Sequence, residues 1–278
     1  EYDNIIELLR YKKNLILQGP PGVGKTFVAK KLAYALMESR DDSRITTVQL
    51  HPSYTYEDFV RGYRPTDEAG RFSLTDGPFT RLCQLADENP DRDYVLRMDE
   101  INIGNLSQIF GEAFSLLEAD NRDIDNAITP LYRRFEKDTF FVPSNVYVIG
   151  TMNITDRSLA LVDYALRRRF AFLTLDPKFG DPAYRAWLLD RNMAESVVDT
   201  IIRSMTTLNR SISEERQLGR SYQIGHSFFC PRGNDFSELN MDWFRQVVTT
   251  EIQPLVEEYW FDEPNKAENL IIDVFGVA

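Results

Sequence analysis

The chain has 278 residues, 43% hydrophobic and 27% charged, which suits one domain with a smaller appendage and argues against disorder. Its net charge is −11: residues 1–175 carry 22 basic and 26 acidic side chains (−4), and residues 176–278 carry 10 and 17 (−7), so neither part supplies a nucleic-acid face by itself. No apolar run reaches the ~18 residues of a membrane helix, and two cysteines (Cys83, Cys230) and two histidines (His51, His226) are too few and too scattered for a metal cluster; they fit a reduced, cytoplasmic protein.

The chain begins with Glu1 and a polar, acidic stretch, unlike a secretory signal, and the missing Met suggests a piece of a longer protein. Residues 4–11 have the apolar spacing of a short amphipathic helix. Leu15-Ile16-Leu17 reads as a buried strand that runs into a glycine-rich turn, and Lys25 to about Glu38 as a helix. Further strands are expected at Ile45–Leu50, Tyr94–Met98, Val146–Ile149 and Phe170–Leu175. Helices are expected at Phe79–Asp87, Leu106–Leu117 and Ser158–Leu166. A small hairpin is expected around Asp76-Gly77, and a second over 119–142. Strand alternating with helix predicts a parallel α/β sheet over 1–175. Beyond Asp176-Pro177 two helical stripes, Val197 to Leu208 and Trp243 to Tyr259, predict a helical subdomain over 176–278.

Gly19-Pro20-Pro21-Gly22-Val23-Gly24-Lys25-Thr26 fits G-x-x-x-x-G-K-[ST] in full, between an apolar strand and an amphipathic helix. Glycines let the backbone curl so that successive N–H groups face phosphate oxygens, and the following helix adds its N-terminal dipole. Lys25 is placed to reach the β and γ phosphates, and the Thr26 hydroxyl to ligate Mg²⁺. Tyr94-Val95-Leu96-Arg97-Met98-Asp99-Glu100 is an apolar strand ending in two acids. Asp99 is expected to hold Mg²⁺ through water and Glu100 to act as general base toward the attacking water. Arg97 is a misfit, since a central strand is normally apolar there.

Val146 to Asn153 is a strand ending in a polar residue; it resembles the strand of AAA+ proteins whose final Asn is the sensor between the γ-phosphate and the water. Asp163-Tyr164-Ala165-Leu166-Arg167-Arg168-Arg169-Phe170 resembles an arginine-finger region. Met152-Asn153-Ile154-Thr155-Asp156 resembles the Met-Asn-x-x-Asp signature of the McrB family, the AAA+ GTPase subunits of McrBC-type methylation-dependent restriction endonucleases. Pro20–Ala29, Ser53–Phe59 with Gly62-Tyr63-Arg64-Pro65, Asp99-Glu100-Ile101-Asn102 and Ile224-Gly225-His226-Ser227 resemble it too. The resemblance implies an AAA+ P-loop NTPase fold: a parallel αβα sheet core followed by a helical lid. It implies GTP rather than ATP with Mg²⁺, hexameric rings, a McrC-like nuclease partner and DNA recognition in a separate N-terminal domain. Asn153 and Asp156 carry over as signature residues, and Arg168 or Arg169 as the arginine acting on a neighbouring subunit. Ile103 and Gln223 stand where family sequences tend to have basic residues, with Arg220 nearby.

Three readings follow: a GTPase motor of a restriction system, an ATPase of the broader AAA/MoxR-like class, and a nucleotide-gated assembly scaffold with little basal hydrolysis. Tyr54, Tyr56, Phe59 and Tyr63 fit a pore or stacking cluster or ordinary core packing. His226 fits a nucleotide contact or a structural role, and Glu112 and Glu118 read as solvated.

Overall fold

The computed structural model describes residues 2–68, 70–155 and 164–276. The chain divides into two units: Glu1–Gln18 with Lys25–Thr174, and Gly19–Gly24 with Leu175–Ala278.

In the first unit α1 (Tyr2–Lys12) leads into β1 (Asn14–Gly19), and α2 (Lys25–Leu36) into β2 (Ile45–Gln49). A short helix α3 (Tyr56–Phe59), the hairpin strands β3 (Arg61–Pro65) and β4 (Phe72–Asp76) and α4 (Pro78–Asp87) precede β5 (Tyr94–Asp99). After α5 (Leu106–Phe110) come β6 (Val146–Asn153), α6 (Tyr164–Arg169) and β7 (Ala171–Thr174). Five strands form one sheet in the order β2-β5-β6-β1-β7, with β2–β5, β5–β6 and β1–β7 paired in parallel. Leu15, Ile16 and Leu17 are buried, as are Val146 to Met152; such unbroken apolar runs are what strands covered on both faces require. Asn14 and Arg122 tie the N-terminal ends of β1 and β6. The Asn14 amide donates to the Leu117 and Arg169 carbonyls at 2.7 and 2.8 Å, and buried Arg122 donates to Asn14 Oδ1 and the Val146 carbonyl.

Several elements differ from expectation. The β3–β4 hairpin turns over 66–71, and Gly77 instead caps α4, whose first residue is Pro78. Helix α5 stops at Gly111, where φ is +54°, and a 3-10 stretch carries on over Gly111–Leu117. Over 119–142 there are two 3-10 turns and a single bridge, Ile128 to Phe140, rather than a hairpin ladder. Residues 158–163 of the helix expected over Ser158–Leu166 lie outside the described residues. Tyr56 and Phe59 are buried in the core while Tyr63 is exposed, so the aromatic segment is divided between packing and surface.

What holds the hairpin is charge. Arg61, almost wholly buried, pairs with Asp76 and Asp138 at 2.6 Å each and donates to the Tyr132 carbonyl at 3.2 Å. Arg134 and Gln84 complete the shell of Asp76 at 2.6 and 3.0 Å. Burial alone would raise the Asp76 carboxyl, but the Arg61 and Gln84 hydrogen bonds and the charges of Arg61 and Arg134 hold it below the usual range.

The second unit contains α7 (Pro182–Leu189), α8 (Glu195–Glu214), α9 (Met241–Val247), α10 (Gln253–Tyr259) and α11 (Pro264–Gly276). The stripe Val197, Val198, Ile201, Met205 and Leu208 of α8 is buried against Phe229, Phe244 and Val248. A π-helical stretch, Val248–Ile252, joins α9 to α10; Pro254, two residues further on, has no N–H to offer an α-helical bond.

Arg61→Leu strands two buried carboxylates, and a loss of about 3–5 kcal/mol is expected in denaturant unfolding, whereas Arg71→Ala, on an exposed pair with Glu68, is expected to leave the midpoint in place.

Candidate functional site

The glycine turn follows β1. Gly22 and Gly24 have φ of +76° and +81°, the left-handed region that favours glycine. The turn groups with the helical unit because that unit grips it. Gly225 N–H donates to the Pro21 carbonyl and Ser227 N–H to the Gly22 carbonyl, both at 2.8 Å. A Cβ on Gly225 would lie 1.9 Å from the Gly22 carbonyl carbon, and one on Gly22 would lie 2.4 Å from the Phe228 ring. Gly225 is therefore part of the P-loop's support. Sequence reading found its neighbourhood but no reason for a glycine there, because that reason is a contact about 200 residues away in sequence.

His226, between those two donors, packs edge-on against Tyr184 and Phe179 at 5.5 and 6.4 Å between ring centres. Its Nδ1 accepts the Lys178 N–H at 3.2 Å, which identifies the tautomer protonated on Nε2. Burial pushes its pKa down, the positive charge of Lys178 adds to this, and Asp181 opposes it. Gln223, on the same segment, donates to the Asn209 carbonyl at 3.3 Å.

In the first unit Lys25 and Thr26 open α2, Lys25 buried and Thr26 exposed. The C-terminal ends of β5 and β6 lie side by side, Met98 opposite Gly150. One step on, Thr151 meets the acids: its hydroxyl donates to Asp99 Oδ1 at 3.1 Å and accepts the Glu100 N–H at 3.4 Å. Two residues later on the same face of β6, the Asn153 amide donates to both oxygens of Glu100, at 3.0 and 3.1 Å. Glu100 itself has φ +57°, a left-handed conformation that is uncommon outside glycine. The strand has ended, and the turn aims the carboxylate at β6. Thr151 was not singled out from the sequence; the signal available was its position two residues before Asn153, which puts both on one face.

Arg97 finds its partner in Asp99, Nη2 lying 3.2 Å from Oδ2. The Arg168–Arg169 pair separates. Arg169 donates to the Phe114 and Ala165 carbonyls at 2.9 Å each, pairs with Glu118 at 3.0 Å and lies over the Phe114 ring, so its donors are committed internally. The Arg168 side chain is 76% exposed, 3.8 Å from Glu118. Asp156 lies outside the described residues. Glu112 and Glu118 are not simply solvated. Glu112 accepts from the Tyr56 hydroxyl and the Leu131 N–H, both at 2.7 Å, and Glu118 binds the two arginines. Glu112, just after α5, thus joins Tyr56 to Leu131, which sequence spacing does not reveal.

A glycine turn between a buried strand and a helix, with an Asp-Glu pair at the end of β5 and an Asn at the end of β6 in the same sheet, defines a P-loop nucleotide-binding class. The chain belongs to the AAA domain family, dynein-related subfamily, whose model matches residues 14–170. The α-helical lid domain of McrB matches residues 200–268. The chain is 46% identical over 275 residues to the Type IV methyl-directed restriction enzyme EcoKMcrB subunit of Escherichia coli (strain K12), covering 99% of this chain and 60% of that protein. It is 27% identical over 210 residues to the Type II restriction enzyme BsuMI component YdiS of Bacillus subtilis (strain 168), covering 64% of this chain and 61% of that protein. The chain thus spans about three-fifths of the length of each of these two relatives. Among the described residues no helix is long and apolar enough to cross a membrane.

Because the His226 pKa is depressed, its folded state resists protonation. The stability this leaves in place above about pH 6.5 is expected to fall as pH drops toward the folded pKa, the unfolded chain binding more protons. Melting temperature against pH is expected to slope less over this window in His226→Gln, whose amide oxygen can accept the Lys178 N–H without titrating.

Proposed function

We propose that this chain is the nucleoside-triphosphate-hydrolysing motor module of a McrBC-like restriction system, with GTP favoured over ATP. The observation that carries the reading is the pair Glu100–Asn153. A carboxylate held by both oxygens at the end of β5, by an amide on β6, the next strand of the sheet, is a base held at a defined position for one water.

In this reading residues 1–175 bind nucleotide and residues 176–278 form the lid. The N–H groups of Gly19, Gly22, Val23 and Gly24 face phosphate oxygens, Pro20 and Pro21 shaping the turn without N–H groups of their own. Lys25 neutralises charge on the β and γ phosphates. Glu100 takes the proton of the water that attacks the γ-phosphate, and Asn153 keeps Glu100 in place. Arg168, exposed and at the end of α6, is the better candidate to reach a neighbouring subunit; Arg169 positions α6 against Phe114. Asp156, the signature Asp, is assigned to the same site on resemblance alone.

The donor set fits Mg²⁺. Thr26 would offer a hard oxygen directly and Asp99 one through water, and the Asp99 carboxylate is oriented by Thr151. Among the described residues no group of three or more His, Cys, Asp or Glu could hold a metal, which suits an ion that keeps waters and takes phosphate oxygens for the rest. When bound, the ion would neutralise charge developing on the phosphates.

Similarity to the two restriction components supports a McrC-like nuclease partner, and the resemblance to McrB a hexameric ring; DNA recognition is assigned to a separate domain. The acidic balance of the chain supports that last assignment. An ATPase of the broader AAA class is the second reading, since no residue described above selects a base.

Lys25→Ala is expected to abolish nucleotide binding. Glu100→Gln is expected to keep GTP affinity within a few-fold while lowering phosphate release by about 10²-fold or more. Full turnover in Glu100→Gln would remove the assigned base. Faster turnover of ATP than of GTP would move the chain to the second reading.

A further inference from the structure

Arg97 is the one charged residue inside β5 before the acids at its end. Both side chains of the Arg97–Asp99 pair stand on the same face of the strand, two residues apart. They are largely buried, 16% and 11% exposed. Arg97 Nε is buried without a hydrogen-bond partner, so the guanidinium does not hold Asp99 in a side-on fork through Nε. It approaches the carboxylate with Nη2, 3.2 Å from Oδ2. Across the sheet its neighbours are Ile149 on β6 and Thr47 on β2. β2 is an edge strand on which Thr47 and Gln49 are exposed, and this open border is how a cation is tolerated here.

We infer that Arg97 is a resident counter-ion of the metal-binding carboxylate, and that it weakens the dependence of nucleotide binding on Mg²⁺. The inference rests on the assignment of Asp99 to the metal made above. Without metal, an uncompensated Asp99 repels the phosphates of an incoming nucleotide; Arg97, 3.2 Å from Oδ2, cancels that charge. With metal, the guanidinium and the ion compete for one carboxylate in a partly dehydrated place, where like charges repel more strongly than in water. Both effects act in the same direction: binding in the absence of Mg²⁺ is improved, and the gain from adding Mg²⁺ is reduced. Arg97 does not touch reacting atoms in this account. It acts through Asp99 as a positioning residue.

The test is the affinity of N-methylanthraniloyl GTP and ATP for the whole chain, in EDTA and in excess Mg²⁺, for wild type, Arg97→Met, Arg97→Lys and Asp99→Asn. The quantity read is the ratio of Kd in EDTA to Kd in Mg²⁺, with melting temperature confirming that each variant is folded. Arg97→Met is expected to raise this ratio about tenfold or more over wild type. Arg97→Lys, which keeps the charge, is expected to stay near wild type, and Asp99→Asn to flatten the ratio. Arg97→Ile gives the same comparison with a strand-favouring side chain should the Met variant unfold. An unchanged ratio in the apolar variant, or a Lys variant that behaves like it, overturns the inference while leaving Asp99 as metal ligand. Full Mg²⁺ dependence in Asp99→Asn overturns the metal assignment and the inference with it.

Discussion

The place where β5 stops governs the chemistry of the first unit. A parallel strand buried on both faces cannot carry acids in its interior without heavy desolvation cost, so they sit at its C-terminal end, where the ladder to β6 gives out. Thr151 accepts the Glu100 N–H and donates to Asp99, closing the strand end on itself. The left-handed turn at Glu100 then directs the carboxylate at the Asn153 amide. Asp99 stays in the plane of the sheet and Glu100 leaves it, so two adjacent carboxylates acquire different environments. That difference is what allows one of them to be proposed as a metal ligand and the other as a base.

The glycine turn obeys a second constraint, close approach of backbones. The carbonyls of Pro21 and Gly22 are spoken for by the N–H groups of Gly225 and Ser227. With its carbonyls turned that way, a turn of this kind is left with its N–H groups for phosphates. Gly22 and Gly225 are required by each other's proximity as much as by their own dihedral angles.

How much of this was legible depended on whether the reason was local. The glycine turn and the Asp99-Glu100 pair stand out in the sequence because their residue types and spacing, each at the end of an apolar strand, form a local pattern. β1 and β6 were readable from unbroken apolar runs, and β5 from one interrupted by Arg97. Arg97 looked unaccountable, yet period-2 geometry puts it on one face with Asp99, so its partner was within reach of the sequence. Other features depend on distant contacts. Arg169 differs from Arg168 because the Phe114 ring and carbonyl lie beside it, and the end of α5 is set at Gly111, where a Cβ would meet the Tyr56 ring at 2.8 Å. The hairpin turn was placed at Asp76-Gly77 on a favourable dipeptide, whereas Asp76 is held by Arg61 and Gly77 starts a helix; tertiary charge pairing and Pro78 outweighed turn chemistry.

The central claim is that Asn153 and Glu100 act as one device. The most direct measurement is a double-mutant cycle on kcat for phosphate release, with Asn153→Ala, Glu100→Gln and the double variant. If Asn153 works by holding the base, the double variant will turn over no more slowly than Glu100→Gln alone. Strictly additive losses, with the double variant slower by the full product of the two single effects, would mean that Asn153 acts independently of Glu100 and would contradict the account.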